Sequence, residues 1–261
     1  MHAPHTTATG LVAALAALAA VLAGCTDTAK SGLASPRSGD ATSPSPTSST
    51  SSTGDADART QTPSGATIIT EIADSALERG RYALPPIGRL HEPFAVVSLP
   101  SGYSNWGNFI YANEPVENDD PLEFALWDIN GVYMNPCAMS DEVSTRSVDA
   151  IADALVRQPL TSASRPRGVT LAGYHGLYME VTTPTGFNYS KCDDAELNLW
   201  EGRPDGGYWT WMPGMVERLW ILDVDGRTMV IHLAVPPSAT DPQIRAMTDI
   251  IEAATFETPE A

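Results

Sequence analysis

Basic residues are scarce in this 261-residue chain. Fifteen lysines and arginines stand against thirty-two aspartates and glutamates, so the formal net charge is −17. A chain this acidic repels nucleic acids and anionic lipid headgroups, which argues against nucleic-acid binding and against electrostatic attachment to a membrane. Because an acidic surface is also ordinary for a secreted soluble domain, the charge alone indicates no partner.

Catalytic and cofactor-binding motifs are also missing. The sequence has no Gly-x-Ser-x-Gly motif, no phosphate-binding glycine loop and no dinucleotide fingerprint. After the first ten residues, histidine occurs at His91, His175 and His232, and no two of them have the spacing of a metal-binding pair. The segment from Asp223 to Gly226 lacks most ligands of a calcium loop and is explained as a turn. The sequence therefore predicts no catalytic residue, no metal site and no cofactor.

Long apolar runs are absent except near the N-terminus, where residues 11–22 read LVAALAALAAVL. As a helix this run is ~18 Å long, well short of the ~30 Å hydrocarbon core of a bilayer. Its length is typical of the apolar region of a signal peptide. The alternative is a buried Ala/Leu helix. The first ten residues contain no lysine or arginine, which leaves open whether Met1 is the true start.

The residues that follow this run are Leu22-Ala23-Gly24-Cys25, and they resemble the lipobox of bacterial lipoproteins. The resemblance covers about 25 residues. It implies that residues 1–24 are a signal peptide that is removed, and that Cys25 is then lipidated. The expected location is the outer face of the cell membrane, where the lipid anchor makes the contact with the membrane.

The next segment, residues 25–65, is rich in serine, threonine and proline and has almost no large apolar side chains. It cannot bury enough surface to offset its chain entropy, so we expect a disordered tether. Forty flexible residues have a root-mean-square reach of ~35 Å. The density of serine and threonine leaves O-glycosylation open.

Residues 90–257 are predicted to form one extracytoplasmic domain, preceded by a partly ordered lead-in over 66–89 that includes a short helix from Ile68 to Arg79. Asn130-Gly131 is predicted to be a hairpin turn. Two helices are predicted from apolar spacing, over 147–158 and from about residue 241. Strands are predicted at 94–99, 108–112, 123–128, 132–134, 169–171 and 177–182. The predicted fold class is α+β: a single, mainly antiparallel domain with two or three packed helices.

The clearest local unit is a hairpin over residues 218–235. Asp225-Gly226 is a typical two-residue turn, and it pairs Val224 with Arg227 and Leu219 with His232. Both faces of the hairpin are mainly apolar. We therefore expect a central hairpin that is covered on two sides, with the last helix on one of them.

Three segments, PFAVVSLPSGY, GVTLAGYHGLYMEV and LWILDVDGRTMVIHLA, together with the paired Cys137 and Cys192, resemble extracytoplasmic lipoproteins of high-GC Gram-positive bacteria. The resemblance covers about residues 90–256. Those lipoproteins carry a domain of uncharacterised function. The order of elements also resembles the Mog1/PsbP-type sandwich, which implies a non-enzymatic binding or assembly role.

Two cysteines remain in the exported domain, Cys137 and Cys192. An oxidising compartment and an even count favour a disulfide between them. The alternative is two buried free thiols.

Residues 189–220 combine aromatic and acidic side chains, the residue types that stack on sugar rings and accept hydroxyl hydrogen bonds. Three interpretations stay open: a braced structural loop, a binding surface, and a glycan-active site with two carboxylates ~5 to 9.5 Å apart. Trp209 and Trp211 are preferred as ligand contacts over Trp106 and Trp127, because the flanking Gly206-Gly207 and Pro213-Gly214 are typical of an exposed loop. As residues i and i+2 of an extended segment, the two indoles should point the same way. The full set of predicted ligand-binding residues is Trp209, Trp211, Tyr208, Trp200, Asp193, Asp194 and Glu201.

These observations predict a lipid-anchored, non-catalytic binding or interaction domain, whose partner is an envelope glycan or another envelope protein. The alternative function is a glycan-active envelope hydrolase that uses the acidic and aromatic residues of 189–220. A purely structural or assembly role is a third possibility. The sequence does not indicate an oligomeric state.

Overall fold

The computed structural model describes residues 62–69, 75–88, 90–113, 121–203, 206–210 and 212–258. The predicted signal peptide, Cys25 and nearly all of the predicted tether lie outside these residues. The described residues belong to one compact α+β unit, as predicted. None of their helices is long and apolar enough to cross a membrane.

Two α-helices and seventeen strands are present among the described residues. The helices are α1 (Val148–Arg157) and α2 (Asp241–Glu252). The strands are β1 Thr67–Ile68, β2 Ser75–Leu77, β3 Gly80–Leu84, β4 Phe94–Leu99, β5 Tyr103–Trp106, β6 Phe109–Ala112, β7 Glu123–Trp127, β8 Gly131–Asn135, β9 Ser140–Ser144, β10 Ser162–Ala163, β11 Arg167–Leu171, β12 Tyr174–Thr182, β13 Leu197–Arg203, β14 Gly206–Thr210, β15 Val216–Val224, β16 Arg227–Val235 and β17 Thr255–Glu257.

The strands form three sheets. The large sheet has the order β10-β12-β15-β16-β7-β6-β5-β2, with β11 also paired to β12. A small sheet, β14-β13-β8-β9, and a third sheet, β1-β3-β4-β17, complete the set. Within these sheets all pairs are antiparallel except β1 with β3. The prediction of a mainly antiparallel fold is therefore confirmed.

The hairpin β15–β16 lies at the centre of the large sheet, and its predicted register is confirmed from Val224↔Arg227 through Leu219↔His232. Asp225 and Gly226 both have positive φ, 53° and 79°, as a type I′ turn requires. The Asp223 carboxylate accepts a hydrogen bond of 2.8 Å from the Gly226 amide. This turn chemistry fixes which side chains of the hairpin share a face.

Both faces of the hairpin are covered, as its apolar pattern predicted. One face packs against α2, which buries Met247 and Ile251, and against the third sheet. The other face packs against α1, which buries Ile151 and Leu155, and against the small sheet. The large sheet is therefore the middle layer of the domain.

Helix α1 follows its predicted signals. The Ser147 hydroxyl accepts a hydrogen bond of 3.3 Å from the Ala150 amide at the N-terminus. After the last turn, the buried side-chain amide of Gln158 donates to the Tyr133 carbonyl at 2.9 Å and to the Leu199 carbonyl at 2.7 Å. These bonds attach the end of the helix to β8 and β13, so α1 helps to position the small sheet.

Two predictions of local structure are wrong. The segment from Ile68 to Arg79, where a helix was expected, starts with the last residue of β1 and contains β2, because these short strands pair with β3 and β5. Asn130-Gly131 is not a hairpin turn: β7 pairs with β6 and β16, whereas β8 pairs with β9 and β13. The Asn130 amide donates to the Glu201 carbonyl at 3.0 Å, so the chain leaves the large sheet here and joins the small one.

A disulfide joins Cys137 and Cys192, as predicted. It connects the residues after β8 to two short 3₁₀ turns, Tyr189–Lys191 and Asp193–Ala195, that precede β13. The Asp193 amide donates to the Cys137 carbonyl at 2.9 Å beside it. The disulfide therefore connects two segments that enter the small sheet.

Candidate functional site

A cavity of about 500 Å³ opens between one end of the large sheet and strand β14 of the small sheet. Strands β5, β6 and β7 contribute one wall, and β14 with the residues after it contributes the other. The rings that line the cavity, named here the aromatic wall, are Trp106, Phe109, Tyr111, Trp127, Tyr208 and Trp209.

Strand register explains why the first wall is aromatic. Trp106 pairs with Phe109 across the β5–β6 hairpin, and Tyr111 pairs with Glu123 across β6 and β7. Paired residues and residues two apart on one strand share a face, so these four side chains and Trp127 project to the same side of the sheet. That side faces the small sheet, and the cavity lies between the two.

The rings are in contact with one another. Phe109 lies 6.3 Å from Tyr111 and 5.8 Å from Trp127, measured between ring centroids. Trp127 in turn meets Tyr208 edge to face at 5.6 Å, and Tyr208 stacks on Trp200 at 4.7 Å. Edge-to-face and offset stacking are the preferred arrangements of aromatic pairs, so the wall is braced by its own contacts.

Behind Tyr208 lies a buried polar cluster. The Tyr208 hydroxyl donates to the two carboxylate oxygens of Glu217, each at 3.3 Å. Nε2 of His232 lies 2.6 Å from Oε2 of the same carboxylate. Nδ1 of His232 has no hydrogen-bond partner among the described residues. His232 is thus a buried histidine of the central sheet with Glu217 as its local partner.

Electrostatics keep Tyr208 in its neutral form. Burial raises the pKa of Tyr208 well above 10, and the nearby carboxylates of Glu217 and Glu123 raise it further. A phenol whose pKa is raised stays protonated near neutral pH, so Tyr208 donates its hydrogen bond to Glu217.

The predicted ligand-binding residues are dispersed. Tyr208 and Trp209 both line the cavity; Tyr208 is buried, and Trp209 lies at the mouth with 37% of its surface exposed. Trp200 is fully buried and belongs to the core, contrary to its expected place on a binding face, because from β13 it packs against Trp127 and His232 of the large sheet. Trp211 lies outside the described residues.

The predicted acidic residues do not contribute to this cavity. Asp193 and Asp194 lie on a 3₁₀ turn next to the disulfide, and Glu201 lies in β13 opposite Gly131. None of the three lines the cavity. The cavity lining therefore does not contain the pair of carboxylates from this set that the predicted glycan-active site would use.

Sequence reasoning missed most residues of the site, among them Trp106, Glu123 and Glu217. Trp106 was ranked below Trp209, yet it lines the cavity with 55% of its surface exposed. A signal for Glu217 was present, because extending the hairpin register by two residues pairs it with Ala234 and places it on the face of His232. Glu123 gave no such signal, since its place depends on the pairing of β6, β7 and β16.

Among the described residues there is no group of three or more His, Cys, Asp and Glu side chains placed to hold a metal ion.

Comparisons with known proteins identify no family. No family model matches the sequence, and no curated protein matches it. Among solved structures, the chain is similar to LpqN of Mycobacterium tuberculosis, which is described as involved in cell envelope biogenesis. The sequences are 13% identical, the match covers 71% of this chain and 91% of that one, and the TM-score is 0.30. A TM-score of 0.30 does not establish a common fold, so the resemblance to high-GC lipoproteins and to the Mog1/PsbP sandwich stays a prediction.

Proposed function

We propose that this chain is an exported lipoprotein, anchored through Cys25 at the outer face of the cell membrane, whose domain binds an envelope ligand without transforming it. The cavity next to the aromatic wall is the observation that carries the binding role. Its volume of about 500 Å³ lies within the ~300–1,000 Å³ of small-molecule sites. The lipobox resemblance of residues 22–25 carries the anchoring.

The chemistry of the lining favours binding over hydrolysis. A glycosidase places two carboxylates about the scissile bond, ~5 to 9.5 Å apart. Here Glu123 is the one carboxylate among the described lining residues. Glu217 lies behind Tyr208 and is hydrogen bonded to Tyr208 and His232.

The mouth of the cavity supplies the test. Trp106 and Trp209 are both partly exposed, so removing their rings should cost little stability while removing contact surface for a ligand. A matched control is Val156 on α1, which is 48% exposed and does not line the cavity.

The experiment measures retention of the mature chain on cell-envelope material isolated from the source organism. The double variant Trp106→Ala/Trp209→Ala should be retained about tenfold less than the wild type or Val156→Ala, with a melting temperature within a few degrees of theirs. Equal retention of all three proteins would show that the cavity does not bind the envelope ligand.

A further inference from the structure

The described lining of the cavity contains an acidic side chain and no basic one. Glu123 is the one ionisable Asp, Glu, Lys, Arg or His side chain among its described lining residues. Only 7% of Glu123 is exposed, and it lies on the face of the sheet that carries Tyr111 and Phe109. A buried carboxylate at the wall of a cavity disfavours the binding of an anionic ligand.

A second carboxylate lies close by in the same row of the sheet. Ala234 pairs with Glu123 on one side and with Glu217 on the other, so the two acids are separated by two strand spacings, about 10 Å. Each of the two carboxylates contributes to the raised pKa of Tyr208. Glu217 is already paired with His232, so Glu123 is the carboxylate placed to attract a cation into the cavity.

The aromatic wall adds a second attraction for positive charge. The face of an aromatic ring is the negative pole of its quadrupole, and tryptophan faces bind cations best. Three of the six rings are tryptophans, and Trp106 and Trp209 stand at the mouth where a ligand enters. Rings beside a carboxylate suit an alkylated ammonium group, because its methyl groups pack against the rings and it is weakly hydrated.

We propose that the cavity selects a ligand bearing an organic cation, an alkylated ammonium group held between the aromatic wall and Glu123. This inference rests on the proposed binding function and names its ligand class. Neutral groups of the same shape gain the apolar burial but neither the attraction of the carboxylate nor that of the ring faces. A sugar would gain stacking on the tryptophans without the charge selectivity.

The test compares two probes of nearly equal shape, choline and its neutral isostere 3,3-dimethylbutan-1-ol, by titration calorimetry on the mature chain. Choline should bind at least about tenfold more tightly than the alcohol. Raising the salt concentration from 0.05 to 0.5 M should weaken choline binding and leave the alcohol unchanged. Equal affinities for the two probes would overturn the cation selectivity.

Two variants test whether Glu123 and Trp209 cause the preference for choline. Glu123→Gln should remove most of the preference for choline while keeping the shape of the site. If that variant unfolds, Trp209→Leu supplies the same information, because it keeps an apolar side chain but loses the ring. It should weaken choline more than the alcohol, whereas Val156→Ala should change neither affinity. Unchanged choline affinity in Trp209→Leu and in a folded Glu123→Gln would contradict the proposal.

This experiment can fail without the proposed function failing. If Trp106→Ala/Trp209→Ala is poorly retained on the envelope material but choline does not compete with that material for the wild-type protein, the cavity binds a ligand and the ammonium assignment is wrong. If an isolated envelope polysaccharide competes and choline does not, the ligand is a glycan. If the double variant is retained like the wild type, the binding function itself is wrong.

Discussion

Nε2 of His232 lies 2.6 Å from Oε2 of Glu217, and neither side chain has any exposed surface. The two residues occupy neighbouring strands of the central hairpin, diagonally across one face. The Tyr208 hydroxyl binds the same carboxylate from β14, so the cluster connects the large sheet to the small sheet at the back of the cavity. A polar cluster at this depth constrains how the two sheets meet.

Removing one partner of this pair should be more damaging than removing both. Glu217→Leu alone leaves a buried imidazole and the Tyr208 hydroxyl without their acceptor, and we expect a loss of ~3 to 5 kcal/mol in the free energy of unfolding. The double variant Glu217→Leu/His232→Leu should recover part of that loss, because the imidazole is no longer buried without its acceptor and the Tyr208 hydroxyl alone still lacks Glu217. Urea denaturation of the wild type, both single variants and the double variant measures this. Additive losses would show that the pair is not coupled.

The central hairpin could be predicted from sequence because its determinants are local. Asp225-Gly226 fixes the turn, and the turn fixes every pair from Val224↔Arg227 to Leu219↔His232. The N-cap and the apolar spacing of α1 likewise lie within a dozen residues of sequence. These signals act over short sequence separations, where few alternative pairings compete.

The candidate site could be predicted only in part, because it depends on pairing between distant segments. Trp106 and Tyr208 are separated by about a hundred residues, and they line one cavity only because β5 and β14 belong to different sheets that face each other. The wrong prediction of a hairpin turn at Asn130 has the same cause, a pairing between distant segments. A local pattern cannot show that β8 leaves the large sheet and pairs with β13.

Stability should fall at acid pH partly through Glu257 in β17. Burial raises the pKa of Glu257, but hydrogen bonds from Ser64 and Thr62 and the Arg81 guanidinium outweigh burial, so the pKa lies below its usual value of 4.5. A lowered pKa stabilises the folded state above the pKa of the unfolded chain, and the contribution disappears as pH falls through the folded pKa. Glu257→Gln should therefore be less stable than the wild type at pH 7, by roughly 1 kcal/mol or less, and equally stable near pH 2. Urea titrations across this range measure the difference, and a gap that persists at pH 2 would contradict this cause.

The disulfide should contribute substantially to stability. It closes a segment with a sequence separation of 55 residues that contains α1, β11 and β12. Cys137→Ala/Cys192→Ala should lower the free energy of unfolding by ~2 to 5 kcal/mol, because the unfolded chain gains conformational freedom. Denaturant curves of the wild type with and without a reductant, beside the variant, measure this. An effect of reductant on the variant itself would point to a cause other than this disulfide.

Attachment to the membrane should depend on Cys25. Cys25→Ala removes the thiol that the lipobox resemblance of residues 22–25 assigns to lipidation. The variant should appear in the soluble fraction, and the wild type should carry the mass of the lipid at its N-terminus. Substituting serine for the neighbouring Gly24, another small residue, should preserve lipidation and serves as the control. Membrane retention of Cys25→Ala together with an unmodified wild type would refute the anchor.

The close spacing of β14 and β13 in the small sheet should depend on Gly207, which lines the cavity beside Tyr208. A Cβ placed on Gly207 would overlap the Trp200 carbonyl oxygen and come within 3.0 Å of a ring carbon of Tyr133. The overlap is with the backbone of the adjacent strand β13, so it cannot be relieved by a side-chain rotation. Gly207→Ala should therefore push β14 away from β13 and cost ~1 to 3 kcal/mol of unfolding free energy.

Gly168 in the edge strand β11 is the matched control for this variant. A Cβ on Gly168 meets no atom within 4 Å, so Gly168→Ala should be neutral or slightly stabilising, because alanine restricts the unfolded chain. Denaturation curves of the two alanine variants measure the contrast in stability. Displacement of β14 should also move Tyr208 and Trp209, so tryptophan fluorescence should change in Gly207→Ala and not in Gly168→Ala. Equal stabilities would mean that β14 can shift at no cost, and the cavity would then lack one of its two fixed walls.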